Sequence, residues 1–226
     1  MISENLKAVE QRIVAACAKA GRAQSEIKLV AVSKTKPADA VIEAAAAGQI
    51  VFGENKVQEA QLKIPMCPPN LHWHLIGHLQ SNKARIAASG IFRMIHSVDS
   101  VKLIQTLDEY SALPLPVLIQ VNVSGEGSKS GCAPDEAATL IEAANQSARI
   151  EVHGLMTIPP FTPDVEKART HFAALRALRD RLQDETGTPL PELSMGMSHD
   201  FEIAIEEGAT YIRIGSDIFG ARTVCK

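Results

Sequence analysis

Eight short apolar runs, each separated from the next by a stretch of helical periodicity, constrain this chain more than any single motif. The runs are Lys28–Val32, Ile50–Phe52, His72–Ile76, Arg93–Ser97, Val117–Val123, Glu151–Leu155, Glu192–Leu193 and Tyr211–Ile214. Several are apolar throughout rather than alternating, the signature of parallel strands covered on both faces. Helical segments are expected at Glu4–Ala20, Ala38–Ala47, Lys56–Ile64, Ser81–Ala88, Ser100–Tyr110, Pro134–Asn145, Val165–Glu185 and Asp200–Glu207. The pattern is clearest in Val165–Glu185, where Val165, Ala168, Phe172, Leu175, Leu178 and Leu182 return at steps of three and four. Thr162 before Pro163 is read as its cap and Gly187 as its close. Such alternation builds either a (β/α)8 barrel or an open doubly wound sheet. The strand count, and the lack of a GxGxxG turn after the first strand, favour the barrel, preceded by an extra N-terminal helix.

Length and charge narrow the function. At 226 residues and 46% hydrophobic content, a single domain spanning 1–226 is expected. The net charge, 23 − 26 = −3, and 4% aromatic content give neither a phosphate-backbone footprint nor a stacking surface, so nucleic acid is a poor partner. No apolar run reaches the ~18 residues of a membrane span, and the N-terminus lacks a signal-peptide pattern. Cys17, Cys67, Cys132 and Cys225 form no CxxC pair and read as reduced thiols of a cytoplasmic protein.

Lys34 ends the run Leu29–Lys34, and strand alternation puts Val30, Val32 and Lys34 on one face. If that face is the barrel interior, the amine emerges at the C-terminal mouth, where barrels of this type carry their chemistry. Apolar walls would favour the neutral amine, which attacks aldehydes; a solvated lysine leaving a strand is the plain alternative. Lys36 could share the face, although Pro37 turns the chain there. Two further loops, Ser194–Ser198 after the seventh strand and Arg213–Ser216 after the eighth, stand where this fold cradles phosphate. Small residues there let N–H groups approach an anion, with Ser198 able to cap the next helix. An amine facing a phosphate cradle suggests a phosphorylated aldehyde.

The segments AVSKTKP (31–37), FGENKVQE (52–59), HWHLIGHLQSNK (72–83), SKSG (128–131), HGLMTI (153–158), SMGMSHD (194–200) and RIGSDIFG (213–220) closely resemble the YggS/PROSC family, in order, from about Glu4 to Arg222. The resemblance implies a barrel like the N-terminal domain of alanine racemase, and a role in pyridoxal 5′-phosphate (PLP) homeostasis. It implies that Lys34 carries PLP as a Schiff base. Ser198, Gly215 and Ser216 would hold the phosphate, with backbone help from Gly196 and Met197. Family members often have threonine where Ser216 stands, which keeps the hydroxyl. Arg213 would face the pyridine nitrogen, Asn55 and Met156 would line the pocket, and Lys129 would sit at its mouth and receive cofactor in transit. PLP-dependent apoenzymes are the implied recipients, and a monomer the implied state.

A cation beside the pyridine nitrogen disfavours its protonation, which weakens the ring as an electron sink. Racemases of this scaffold add a tyrosine from a further β domain, and no such domain is expected here. The two tyrosines, Tyr110 and Tyr211, fall in a helix and at a strand start. A carrier without turnover is therefore expected, against three alternatives: a racemase, a cofactor-free Schiff-base aldolase and a PLP-responsive interaction module. His72, His74 and His78 suggest metal, but no carboxylate or cysteine stands at ligand spacing, so packing near the mouth is expected. His199 and Asp200 are expected to shape a helix start, and Met195 and Met197 to pack.

Overall fold

The computed structural model describes residues 1–127 and 129–221; Ser128, the matched end at Arg222 and the thiol of Cys225 lie outside them. The strands are β1 Lys28–Val32, β2 Val51–Glu54, β3 His72–Leu75, β4 Met94–Val98, β5 Leu115–Gln120, β6 Ile150–Met156, β7 Glu192–Met197 and β8 Tyr211–Ile214. All neighbours pair in parallel, and β8 returns to β1 with Lys28 opposite Tyr211 and Ala31 opposite Ile214, closing a barrel. The helices are α1 Ile2–Ala20, α2 Ala38–Ala46, α3 Val57–Lys63, α4 Ala84–Ala87, α5 Val101–Tyr110, α6 Ala137–Asn145, α7 Glu166–Thr186, α8 Phe201–Glu206 and α9 Ser216–Phe219.

Alternation along each strand sorts the core into two apolar clusters. Val30, Val32, Ile76, Met94, Leu118, Met156 and Tyr211 fill the barrel interior. Ala31, Phe52, Leu75, Ile95 and Leu155 point outwards, into one continuous layer with helical residues such as Leu103, Phe172 and Leu175. In α1, Leu6, Val9, Ile13, Ala16 and Cys17 form the buried stripe, and the helix packs on α2, α8 and α9.

Several boundaries differ from expectation for identifiable reasons. Ser194–Met197 belong to β7 rather than to the loop after it: an extra residue is absorbed between Ser194 and Met197 opposite β8, with Gly196 at φ 90°. A Cβ on Gly196 would lie 2.6 Å from Ala204 Cβ, so the bulge needs glycine there. Thr162 does not cap α7; its hydroxyl donates to Asp164 O, Asp164 Oδ1 accepts from Glu166 N, and Val165 is the N-cap. Gly187 does close that helix, at φ 66°. The segment Ser81–Ala88 begins as a 3-10 turn, Ser81–Lys83, before α4. Pro134 precedes α6 by a turn.

Candidate functional site

A cavity of about 490 Å³ opens at the C-terminal ends of the strands. Lys34, Asn55, Met197, Ser198, Arg213, Gly215 and Ser216 all line it, as do Lys36 and, on the loop after β5, Lys129. Met156 and Gly196 do not. Met156 is fully buried in the inner cluster with Val32 and Ile76, and Gly196 is taken up by its bulge against α8.

Lys34 stands two residues beyond β1, half-buried in a turn held from below. Lys63 Nζ donates to Ser33 O (2.8 Å), Glu54 Oε1 (2.8 Å) and Glu59 Oε1 (2.9 Å), and Ser33 Oγ donates to Glu54 Oε1 (2.7 Å). Thr35 N donates to Glu59 Oε1, and Thr35 adopts φ 63°. A β-branched residue in that region is strained by roughly 1–3 kcal/mol and persists only where its surroundings impose it. Here a buried ion cluster imposes it. Burial pushes the Glu54 carboxyl upward, with Lys63 and Ser33 pulling the other way. Lys36 is engaged differently: its ammonium caps the end of α9 through Phe219 O (2.8 Å) and Gly220 O (3.2 Å).

Arg213 is 3% exposed and donates through Nη1 to Ser194 Oγ (2.6 Å) and through Nη2 to Thr157 O (2.9 Å). Burial draws its pKa down to about 10, so it stays cationic at neutral pH. Ser194 Oγ also meets His96 Nδ1 at 2.8 Å, and His96 Nε2 meets His74 Nδ1 at 2.9 Å. The three bonds are mutually consistent if Ser194 accepts from Arg213 and donates to His96, which donates in turn to His74 Nδ1. Burial holds His96 well below its usual pKa and His74 at about 3, so both imidazoles are neutral. Tyr211 packs edge-on against both rings. The histidine trio does not converge: His74 partners His96, and His78 Nδ1 faces Asp99 Oδ2 at 3.3 Å. Among the described residues no group of three metal-capable side chains gathers.

The loops after β7 and β8 hold each other. Gly215 N donates to Ser198 Oγ at 3.3 Å, so Ser198 joins the loops rather than capping α8. Asp200 takes the place next to that helix, accepting from Met197 N at 2.7 Å. A Cβ on Gly215 would lie 3.3 Å from Val32 O; Ile218 N and Phe219 N donate to Gly215 O, which leaves the Ser216 and Asp217 N–H groups at the start of α9 without an intrahelical acceptor. His78, expected near the mouth, lines the cavity, whereas Gly77, Gln120, Ser130, Ile158 and His199 line it without having been expected there. Gly77 was the findable one: its Cβ would sit 2.4 Å from Asn55 O, a close approach that glycine alone permits. Gly77→Ala is expected to lose about 1–3 kcal/mol by displacing the Asn55 backbone, checked by denaturant unfolding.

The family profile described as alanine racemase, N-terminal domain, matches residues 5–223. A Pseudomonas aeruginosa protein named pyridoxal phosphate homeostasis protein is 50% identical over 227 residues, covering 98% of this chain and 96% of that one. The chain belongs to the pyridoxal phosphate homeostasis protein family. Within the family's known structures, PipY of Synechococcus elongatus, solved with PLP bound, shares 37% identity at a TM-score of 0.86, over 97% of this chain and all of that one. Alanine racemase from Corynebacterium glutamicum, at 19% identity and a TM-score of 0.73, shows that this homeostasis-family barrel has the racemase fold; the chain spans 62% of that protein.

Proposed function

We propose that this family member holds PLP in the cavity, attached through the Lys34 amine, and stores or delivers it in the cytoplasm without turnover of its own. The observation that carries the reading is one cavity lined both by Lys34 and by the joined Ser198–Gly215–Ser216 loops. The residues fit the cofactor: a glycine where a side chain would crowd Val32, two hydroxyls for phosphate, and a buried cation, Arg213, for the pyridine nitrogen. The names of the relatives and the PLP in PipY support it. Bound there, the cofactor would supply an aldehyde and an electron-accepting ring. Arg213 would keep that ring nitrogen unprotonated.

Lack of turnover is supported by what surrounds the cavity. Tyr110 lies on α5 against Arg85, Tyr211 is packed inside the barrel, and neither lines the cavity. Of the two imidazoles on the wall, His199 Nε2 faces Thr162 O and His78 faces Asp99. Cytoplasmic residence is supported by the free thiols of Cys17, Cys67 and Cys132, burial pushing the last up to about 12. No helix among the described residues is long and apolar enough to cross a membrane. PLP-dependent apoenzymes as recipients, Lys129 as a transfer residue, and one monomeric domain over 1–226 complete the proposal.

Incubation with PLP followed by borohydride is expected to leave a pyridoxyl adduct mapped to Lys34, absent in Lys34→Ala, while the loaded protein turns over no amino acid. A wild type without the adduct would refute the binding site. Efficient racemisation or transamination, lost in Lys34→Ala, would refute the carrier role.

A further inference from the structure

The helix ahead of the barrel reaches the back of both phosphate-facing loops through one side chain. Arg12 Nε donates to Glu202 Oε1 (2.7 Å), Nη1 to Asp217 Oδ2 (2.5 Å) and Nη2 to Ser198 O (3.4 Å), with the guanidinium over the ring of buried Phe201 at 4.5 Å. Two helical turns earlier, Asn5 Nδ2 donates to Ile218 O at 2.9 Å. Asp217 is the immediate neighbour of Ser216, and its Oδ1 accepts from the Ser216 hydroxyl at 3.3 Å. A carboxylate beside a residue that binds phosphate opposes the binding of a dianion unless a cation compensates it. Arg12 supplies that cation and spans the two loops, a task suited to the several donors of a planar guanidinium.

We propose that Arg12 is a positioning residue for the phosphate of the ligand. It holds the Ser198 and Ser216 loops at a common spacing and offsets part of the carboxylate charge beside them, its guanidinium being shared between Asp217 and Glu202. This rests on the reading of the cavity as a PLP site and extends that site to α1, which contributes no residue to the cavity wall. Its signature is selectivity: Arg12 matters for a phosphorylated ligand and not for its dephosphorylated form.

The experiment titrates PLP and pyridoxal into wild type, Arg12→Met, Asp217→Asn and the double variant, with borohydride trapping at Lys34 as a second readout. Arg12→Met is expected to weaken PLP about tenfold and pyridoxal less than twofold, since the uncompensated carboxylate acts on the phosphate alone. Adding Asp217→Asn should restore most of the loss. Asp217→Asn alone keeps α1 docked through Glu202 and Asn5, so it tests the idea even if Arg12→Met fails to fold. It is expected to tighten PLP severalfold with pyridoxal unchanged. Equal losses for both ligands in Arg12→Met, no rescue in the double variant, or weaker PLP binding in Asp217→Asn would each overturn the proposal while leaving the PLP site standing. A wild type that traps no PLP on Lys34 would overturn both.

Discussion

Lys63→Met is expected to lower the free energy of unfolding by about 3–5 kcal/mol, the usual consequence of stranding one member of a buried ion pair. Glu54 is fully buried, its Oε1 depends on Lys63 and Ser33, and no hydrogen bond from the described residues reaches its Oε2. Without Lys63 the carboxylate loses the cation that pairs with it among the described residues, and must ionise unaided or take up a proton. A melting temperature lower by roughly 6–20 °C follows for a chain of this size. Lys63→Met with Glu54→Gln should recover most of it, because no lone charge remains. A loss below ~1 kcal/mol in the single variant would show that the pair behaves as a solvated one. The local effect is separable from the global one. Lys63 and Glu59 brace Ser33 and Thr35 on either side of Lys34, so borohydride trapping at Lys34 should fall in the variant even well below its melting temperature.

The buried histidine pair should make the fold acid-labile in a definite window. His74 has a folded pKa of about 3 against an ordinary 6.5, and His96 lies well below its ordinary value, both through burial. A lowered folded pKa means that the unfolded chain takes up protons which the folded chain refuses. Their contribution is intact above pH 6.5 and declines as pH falls towards 3. Each imidazole adds a slope of about 1.4 kcal/mol per pH unit, and His74 alone a total on the order of 4–5 kcal/mol. The carboxyls of Glu54, Asp99 and Asp200, shifted upward by burial, work in the opposite sense. The informative quantity is therefore a difference. Urea unfolding from pH 7.5 to 4 should show wild type losing stability more steeply than His74→Gln/His96→Gln, whose amides can continue the Ser194 hydrogen-bond chain. Parallel curves would sink the assignment of neutral imidazoles.

The barrel was legible because parallel strands write themselves as apolar runs, and β1 and β8 fall where those runs predict. The mouth was legible as well: Lys34, Ser198, Gly215 and Ser216 sit just beyond strand ends, a place that topology alone marks as functional. What escaped lies across the sequence rather than along it. His96 resembles any strand residue until His74 and Ser194 are brought beside it, and Lys63 looks like a solvated helix lysine until α3 lays it over Glu54. Gly196 read as part of the loop after the seventh strand because a bulge and a turn use the same residue. Met156 was placed on the wall by resemblance, but the strand's alternation sends it into the interior layer. Arg12 carried no signal, since nothing in an amphipathic helix announces what its polar edge will meet.

Ring closure between β1 and β8 also sets when the cavity comes into being. Lys34 leaves the ribosome well before Ser216 and Arg12's partner Asp217. Until residues 211–214 arrive, the β1 edge has no neighbour on that side, and neither the inner apolar layer nor the joined Ser198–Gly215 loops can form. Such long-range pairing is late and slow by comparison with local helix contacts. A nascent chain that lacks β8 thus displays Lys34 without the joined Ser198–Gly215 loops, and the cavity they line becomes a report that the ring has closed.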